Sequence, residues 1–131
     1  MKTKTIIIFL CILSGCAGSP LAISMKTPEQ LKSVPDYQLC DAYASIKSEK
    51  IKTELLSRNL FTDKEWQAIE KHSIFVGMSK LALFATRPNL YLNGISEIGN
   101  YGMCEIYSEF ATTVGVYIYV RGDKVVGYQL Y

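Results

Sequence analysis

The chain has 131 residues, 49% of them hydrophobic, and carries 14 basic and 12 acidic side chains for a net charge of +2. Two basic residues, Lys2 and Lys4, lie in the first 15 positions, whereas all 12 acidic residues follow them, so the remainder is electrically neutral. This length suits one small domain with one core, and a neutral domain lacks the basic surface of a nucleic-acid binder.

The beginning of the chain has the layout of a bacterial lipoprotein signal. The two lysines precede an apolar run, Ile6 to Leu13, which is the order of a secretory signal peptide and is too short to span a bilayer. The run ends in a tetrad that resembles a lipobox, in which signal peptidase cuts before the cysteine: Leu13, Ser14, Gly15 and Cys16. The alternative is an ordinary signal peptide with an unrelated cysteine at the cut.

The lipobox implies an anchor and a compartment. Residues 1–15 would be removed as the lipoprotein signal peptide, and Cys16 would carry a covalent N-terminal lipid that attaches the protein to a membrane. We expect no other cofactor. Ala17 replaces the aspartate that favours inner-membrane retention in such proteins, so the resemblance implies the outer membrane, with the domain facing the periplasm. Residues 16–27 are predicted to form a lipidated tether.

Residues 28–72 are predicted to be helical. A single turn is expected at 28–34, a helix from Pro35 to Ile46, a second from Ser48 to Asn59, and a third from Thr62 to His72. Thr62 with Glu65 forms a capping box, in which a threonine cap is followed three residues later by glutamate. The side chains expected to face inward are Leu39, Cys40, Tyr43, Ile46, Ile51, Leu55, Leu56, Trp66 and Ile69, and Arg58 is expected to face outward.

Residues 73–131 change from a helical to a strand pattern. Ser79 can cap a short helix, which Pro88 ends. Asn93–Gly102 is rich in glycine and asparagine, and a hairpin is predicted where Val114–Val120 and Val125–Tyr131 flank a turn. Helices followed by strands predict an α+β fold, with N-terminal helices packed on one face of a small antiparallel β-sheet and residues 28–131 in one domain.

Two cysteines, Cys40 and Cys104, remain after the lipidated one. The periplasm is oxidising, so the two thiols could form a disulfide, which would close a long loop and contribute about 4 kcal/mol. The alternative is two separate buried cysteines that act as small hydrophobic residues. Because a second pair of ligands is missing, no metal site is expected.

Catalytic patterns are absent from the sequence, and we therefore expect a non-enzymatic protein with no catalytic residue. His72 is the single histidine, and it falls at the end of a predicted helix, where a surface or capping role is usual. The chain contains neither a Gly-x-Ser-x-Gly elbow nor a phosphate-binding glycine loop. A small hydrolase that uses His72 or Glu105 is the minor alternative.

Tyrosines concentrate in the predicted sheet, which contains seven of the nine in the chain. If Val116, Ile118 and Val120 face the helices, Tyr117 and Tyr119 lie on the opposite face of the hairpin. Tyrosine combines a large apolar ring with a polar tip and is enriched at protein interfaces. Tyr117, Tyr119 and Tyr107 are the candidate partner surface, although aromatic residues are also simply good strand formers.

Several short motifs in residues 73–131 carry a family resemblance. They are Val76-Gly77-Met78-Ser79, Pro88, Asn93 with the glycines that follow, Tyr107, and the run Tyr117 to Gln129. This part of the chain resembles the SmpA/OmlA (BamE-like) group of small outer-membrane lipoproteins. The resemblance implies two helices on a three-stranded antiparallel sheet and a partner in the barrel-assembly machinery. The chain departs from the group at Thr86, where glycine is usual, and at Cys104-Glu105-Ile106-Tyr107, which lacks the usual tryptophan.

Two functions are compatible with these features. The leading hypothesis is a lipid-anchored periplasmic protein that binds an envelope protein and supports outer-membrane assembly or envelope integrity. The alternative is an inhibitor or immunity-type lipoprotein that blocks a periplasmic enzyme or an incoming toxin.

Overall fold

The computed structural model describes residues 18–109 and 115–131, in which six helices precede four strands and so confirm the α+β class. The helices are α1 (Pro20–Ser24), α2 (Pro28–Leu31), α3 (Asp36–Ser45), α4 (Glu49–Ser57), α5 (Asp63–Lys71) and α6 (Lys80–Thr86). The strands are β1 (Leu90–Ile98), β2 (Gly102–Glu109), β3 (Val116–Arg121) and β4 (Lys124–Leu130). In this part of the chain, no helix has the length and apolar character needed to cross a membrane.

Side-chain caps explain where most of the helices begin. The hydroxyl of the residue before each helix accepts a hydrogen bond from a backbone N–H of the first turn in five cases: Ser19, Thr27, Ser48, Thr62 and Ser79. The capping box predicted at Thr62 and Glu65 is confirmed, and a second one joins Thr27 to Gln30. These caps define α1 and α2, two short helices that lack a periodic apolar stripe.

The sheet is an antiparallel meander in the order β1-β2-β3-β4. Residues 93–102 are rich in glycine and asparagine, and the structure continues β1 through Ile98 before a 3₁₀ turn at Gly99–Tyr101. An irregularity between Leu92 and Gly94 lets β1 stay paired with β2 despite the intervening asparagine. The sheet therefore has one more strand than the family resemblance implies.

The helices pack on one face of the sheet. Val116, Ile118 and Val120 point into the core as predicted, and they share it with buried residues of α3 such as Leu39. Trp66 makes an edge-to-face contact with Phe61, with ring centroids 5.2 Å apart. The core is continuous between the helical layer and the sheet, so both layers belong to one folded unit.

A short backbone ladder ties α6 to the β3–β4 hairpin. The Gly77 N–H donates to the Val125 carbonyl at 2.8 Å, and the Val125 N–H donates to the Met78 carbonyl at 3.0 Å. Gly77 has φ of +97°, a conformation that other residues rarely adopt, which lets the chain reach this position. The Lys80 N–H completes the connection through the Asp123 carbonyl at 2.8 Å.

Glu65 joins the beginnings of α5 and α6. Its buried carboxylate accepts hydrogen bonds from the Thr62 N–H at 3.1 Å and from the Ser79 N–H at 2.6 Å. Burial alone would raise the pKa of Glu65, but the hydrogen bonds from Ser79 and Thr62 outweigh it and hold the pKa below its usual value. The ionised carboxylate is therefore a structural part of the fold.

The prediction that residues 16–27 form a tether is wrong for the part of this range that folds as α1. Residues 20–24 form α1, and Ile23 is completely buried against the helical core. Ser19 caps this helix and Pro20 suits its first turn, so a short amphipathic segment folds onto the domain. The folded domain thus begins well before residue 28, because burial of Ile23 stabilises this segment more than its short length suggests.

The predicted orientation of α4 is also wrong at its end. Leu56 is 52% exposed, whereas the Arg58 side chain is largely buried. Ile51 and Leu55 define the buried stripe, and Arg58 continues it at helical spacing while Leu56 falls outside. The guanidinium of Arg58 is satisfied by the carboxylates of Asp36 and Glu54 and by the carbonyls of Leu31, Lys32 and Val34.

Candidate binding face of the sheet

The face of the sheet opposite the helices is lined by tyrosines. Tyr117 and Tyr119 alternate with the core residues of β3 and so point away from the helical layer, as predicted. The register places their cross-strand neighbours on the same face: Ser108 and Gln129 beside Tyr117, and Ile106 and Gly127 beside Tyr119. Tyr117 and Tyr119 are half-buried and lie outside the core that the described helices share with the sheet.

Tyr117 stacks on Tyr131 at one end of this face. Their ring centroids are 4.3 Å apart and their planes differ by 24°. Reciprocal backbone hydrogen bonds between Gly115 and Tyr131, 3.1 and 3.0 Å long, hold the end of the chain there. A Cβ at position 115 would lie 2.0 Å from the Tyr131 ring, so glycine leaves the space that this ring fills.

Tyr119 and Tyr101 form a second pair on the same face. Their centroids lie 6.2 Å apart, and the Tyr119 hydroxyl donates to Oε1 of Gln129 at 3.2 Å. The Tyr101 ring covers Gly127, where an added Cβ would come within 2.9 Å of it. Arg121 donates to the Tyr101 carbonyl at 3.3 Å and fixes the position of the 3₁₀ turn.

A fifth tyrosine completes the surface. Tyr91 of β1 lies opposite Ser108, which places it on the same face as Tyr117. Desolvation, followed by the neighbouring hydroxyls of Tyr117 and Tyr91, raises the pKa of Tyr131 above its usual value. We call the set Tyr91, Tyr101, Tyr117, Tyr119 and Tyr131 the tyrosine face.

Tyr107 does not belong to the tyrosine face, which corrects the prediction. It lies opposite Ile118 and is buried on the helical side, where its ring makes an edge-to-face contact with Phe84 at 5.6 Å. Its hydroxyl donates to the Glu105 carboxylate, which also accepts from Lys80 at 2.7 Å. The sequence pattern did not predict the burial of Tyr107, because the face that a β2 residue occupies depends on the register between strands.

The two cysteines are separate, free and buried, which is the second of the two alternatives. Cys40 lies in the helical core, and burial followed by the nearby charge of Asp36 raises its pKa to about 12. Cys104 alternates with Glu105 on β2 and points to the opposite side of the sheet, where its thiol donates to the Tyr101 carbonyl at 3.8 Å. A disulfide is excluded in this fold because the sheet separates the two thiols.

The polar residues considered for catalysis have structural contacts. His72 is the left-handed C-terminal cap of α5, and its Nδ1 lies 3.2 Å from the Thr86 carbonyl oxygen. Glu105 is paired with Lys80, and Glu109 with Arg87 at 3.0 Å. The described ranges contain no cluster of three or more acidic, histidine or cysteine side chains able to hold a metal ion.

The predicted lipidation site lies outside the described residues. Its four residues, Leu13, Ser14, Gly15 and Cys16, fall in the range 1–17. The structure begins at Gly18, immediately before the cap of α1.

Comparisons with known proteins do not indicate a function for the chain. No protein-family model matches it, and neither the curated proteins nor the solved structures contain a significant match.

Proposed function

We propose that this chain is a lipid-anchored, non-enzymatic lipoprotein that binds an envelope protein in the periplasm through the tyrosine face. Cys16 carries the lipid, and Ala17 directs the protein to the outer membrane. The signal-like residues 1–15 and the lipobox tetrad support the anchor and the compartment.

The tyrosine face is the observation that carries the binding proposal. Two ring pairs, Tyr117 with Tyr131 and Tyr101 with Tyr119, stand on the face of the sheet opposite the helical core. Pre-stacked rings lose little side-chain freedom on binding, and their hydroxyls can still form hydrogen bonds at the rim of an interface. The partner that fits is a protein segment with apolar or proline side chains.

A role in outer-membrane assembly or envelope integrity is the physiological part of this proposal. It rests on the resemblance of residues 73–131 to BamE-like lipoproteins, whose partners assemble β-barrels. The helix-plus-sheet layering is compatible with that resemblance, although the sheet here has four strands. Because fold does not determine function, the partner must be identified directly.

In-cell crosslinking of the full chain, followed by mass spectrometry of the captured proteins, tests the proposal. The variant Tyr117→Ser with Tyr119→Ser removes one ring from each pair of the tyrosine face. The matched control is Tyr128→Ser, because Tyr128 is 47% exposed but lies opposite Ile118 on the helical side. We expect the double variant to lose the captured partner and the control to retain it, with circular dichroism showing that both are folded.

The identity of the captured protein separates the two functional hypotheses. Barrel-assembly components or barrel proteins would support the assembly role. A single periplasmic enzyme or toxin would favour the inhibitor alternative. Equal capture by the wild type and the double variant would refute the tyrosine face as the binding surface.

A further inference from the structure

The structure leaves almost no free chain between the proposed lipid and the folded domain. Gly18 is exposed but lies close to α3, since a Cβ there would be 3.7 Å from Oε1 of Gln38, and Ser19 caps α1. Only Ala17 separates Gly18 from Cys16. An extended chain covers about 3.5 Å per residue, so a separation of two residues spans at most about 7 Å. A lipid on Cys16 therefore brings this side of the domain to the membrane surface.

The side of the domain next to Gly18 is apolar and exposed. Leu21 is 64% exposed and Met25 is 76% exposed. They are four residues apart on the outward side of α1, opposite the buried Ile23. Tyr37, 56% exposed, lies near Gly18, because its hydroxyl accepts a hydrogen bond from the same Gln38 side chain that is close to Gly18. We call Leu21, Met25 and Tyr37 the N-terminal apolar surface.

The few charges near this surface favour apolar contact with a membrane over recognition of anionic headgroups. Lys32 pairs with Glu29 at 3.1 Å, and Lys26 lies two residues after the end of α1. These residues do not form the cluster of four or more basic side chains that marks recognition of anionic headgroups. Leucine and methionine can enter the acyl boundary, and tyrosine is enriched at the level of the headgroups.

We propose that the N-terminal apolar surface inserts into the membrane interface beside the lipidated Cys16 and fixes the orientation of the domain on the bilayer. This inference rests on the lipidation that the proposed function includes. The occupant is the lipid surface itself, because a linker of one residue leaves too little space for another protein between α1 and the bilayer. The lipid is then one of several contacts, and the domain does not swing freely from its anchor.

Spin labelling of the full lipidated chain in vesicles tests this orientation. Met25→Cys and Tyr37→Cys place a nitroxide on the N-terminal apolar surface, and Leu56→Cys is the matched control, since Leu56 is also exposed and apolar but belongs to α4. Cys40 and Cys104 are buried, and labelling of the wild type measures any background from them. The vesicles contain phosphatidylethanolamine and phosphatidylglycerol. The readout is the ratio of nitroxide accessibility to oxygen and to a water-soluble nickel chelate.

We expect this ratio to be several-fold higher at positions 25 and 37 than at position 56, because oxygen concentrates in the bilayer and the chelate stays in water. Circular dichroism establishes that each variant is folded. Mass spectrometry of the same samples reports the acyl chains on Cys16. Equal ratios on a lipidated protein would refute the insertion and leave the anchor intact. Absence of the lipid from protein made in its native envelope would refute the anchor and this inference with it.

Discussion

The carboxylate of Glu65 provides the sharpest test of how the helical layer is held together. It accepts two backbone hydrogen bonds, from Thr62 at 3.1 Å and from Ser79 at 2.6 Å, in a buried position between α5 and α6. Glu65→Gln keeps the shape but turns an amide NH₂ group toward one of these N–H donors. A hydrogen bond to a charged group contributes about 1.5–3 kcal/mol, so we expect the free energy of unfolding to fall by about 2 kcal/mol.

Urea unfolding monitored by circular dichroism measures this loss. For a domain of this size, about 2 kcal/mol corresponds to a fall in Tm of roughly 8 °C. Asp63→Asn is the matched control, because Asp63 is an exposed acidic residue in the first turn of the same helix. We expect it to change stability by less than about 0.5 kcal/mol.

The pH dependence gives a second readout of the same carboxylate. The pKa of Glu65 is lower in the folded protein than in the unfolded chain, because the hydrogen bonds from Ser79 and Thr62 outweigh the effect of burial. Its contribution is therefore fully present above pH of about 5 and is lost as the pH falls through the folded pKa. Glu65→Gln should flatten the stability profile in this range. A variant as stable as Asp63→Asn, with an unchanged acid profile, would contradict the reasoning.

Three further predictions concern Ile23 and Arg58, whose placement the structure revised, and the two buried cysteines. Ile23→Ala should destabilise the domain by about 3 kcal/mol, whereas Leu21→Ala should have little effect; similar urea midpoints would mean that α1 is not docked. Arg58→Met should cost about 2 kcal/mol in the same assay, because its acceptors lose their charged donor, and an unchanged midpoint would argue against these part-buried hydrogen bonds. Cys40 and Cys104 should react with a thiol reagent only after unfolding, and rapid reaction of the native protein would contradict their burial.

Local rules predicted the elements better than their relative placement. The capping box at Thr62, the cap at Ser79 and the alternation of Val116, Ile118 and Val120 each depend on residues close together in sequence, and the structure confirms them. The predicted position of Tyr107 was wrong because the pairing of β2 with β3 determines which face of the sheet this residue occupies. That pairing is a long-range property, which the local sequence does not show.

Two other errors have a common physical cause. By residue type Arg58 is expected at the surface, but residues 31–36 supply three carbonyls and a carboxylate that bind its guanidinium. Similarly, the sequence of residues 20–24 is typical of a linker, but in the folded protein Ile23 is buried in the core. In both cases the preference of an isolated segment is overridden by partners that only the folded chain brings together.

The alternation of residues along one strand predicts some side-chain positions in the sheet but not others. Tyr117 and Tyr119 could be assigned to one face from β3 alone. The assignment of Tyr91, Tyr101 and Tyr131 to the same face requires the register and contacts of the whole sheet. Likewise, the free state of Cys40 and Cys104 follows from the sheet that lies between them.

The meander order of the sheet also affects how quickly the protein reaches its native state. Every strand pairs with its neighbour in the chain, and β3 is joined to β4 by a turn of only two residues, Gly122 and Asp123. Hairpins close in about 1–10 μs, and topologies with local contacts fold faster than those that must join distant segments. The local pairing of neighbouring strands favours rapid formation of the sheet. A chain that has to fold after crossing a membrane would then expose its strands and aromatic rings to aggregation only briefly.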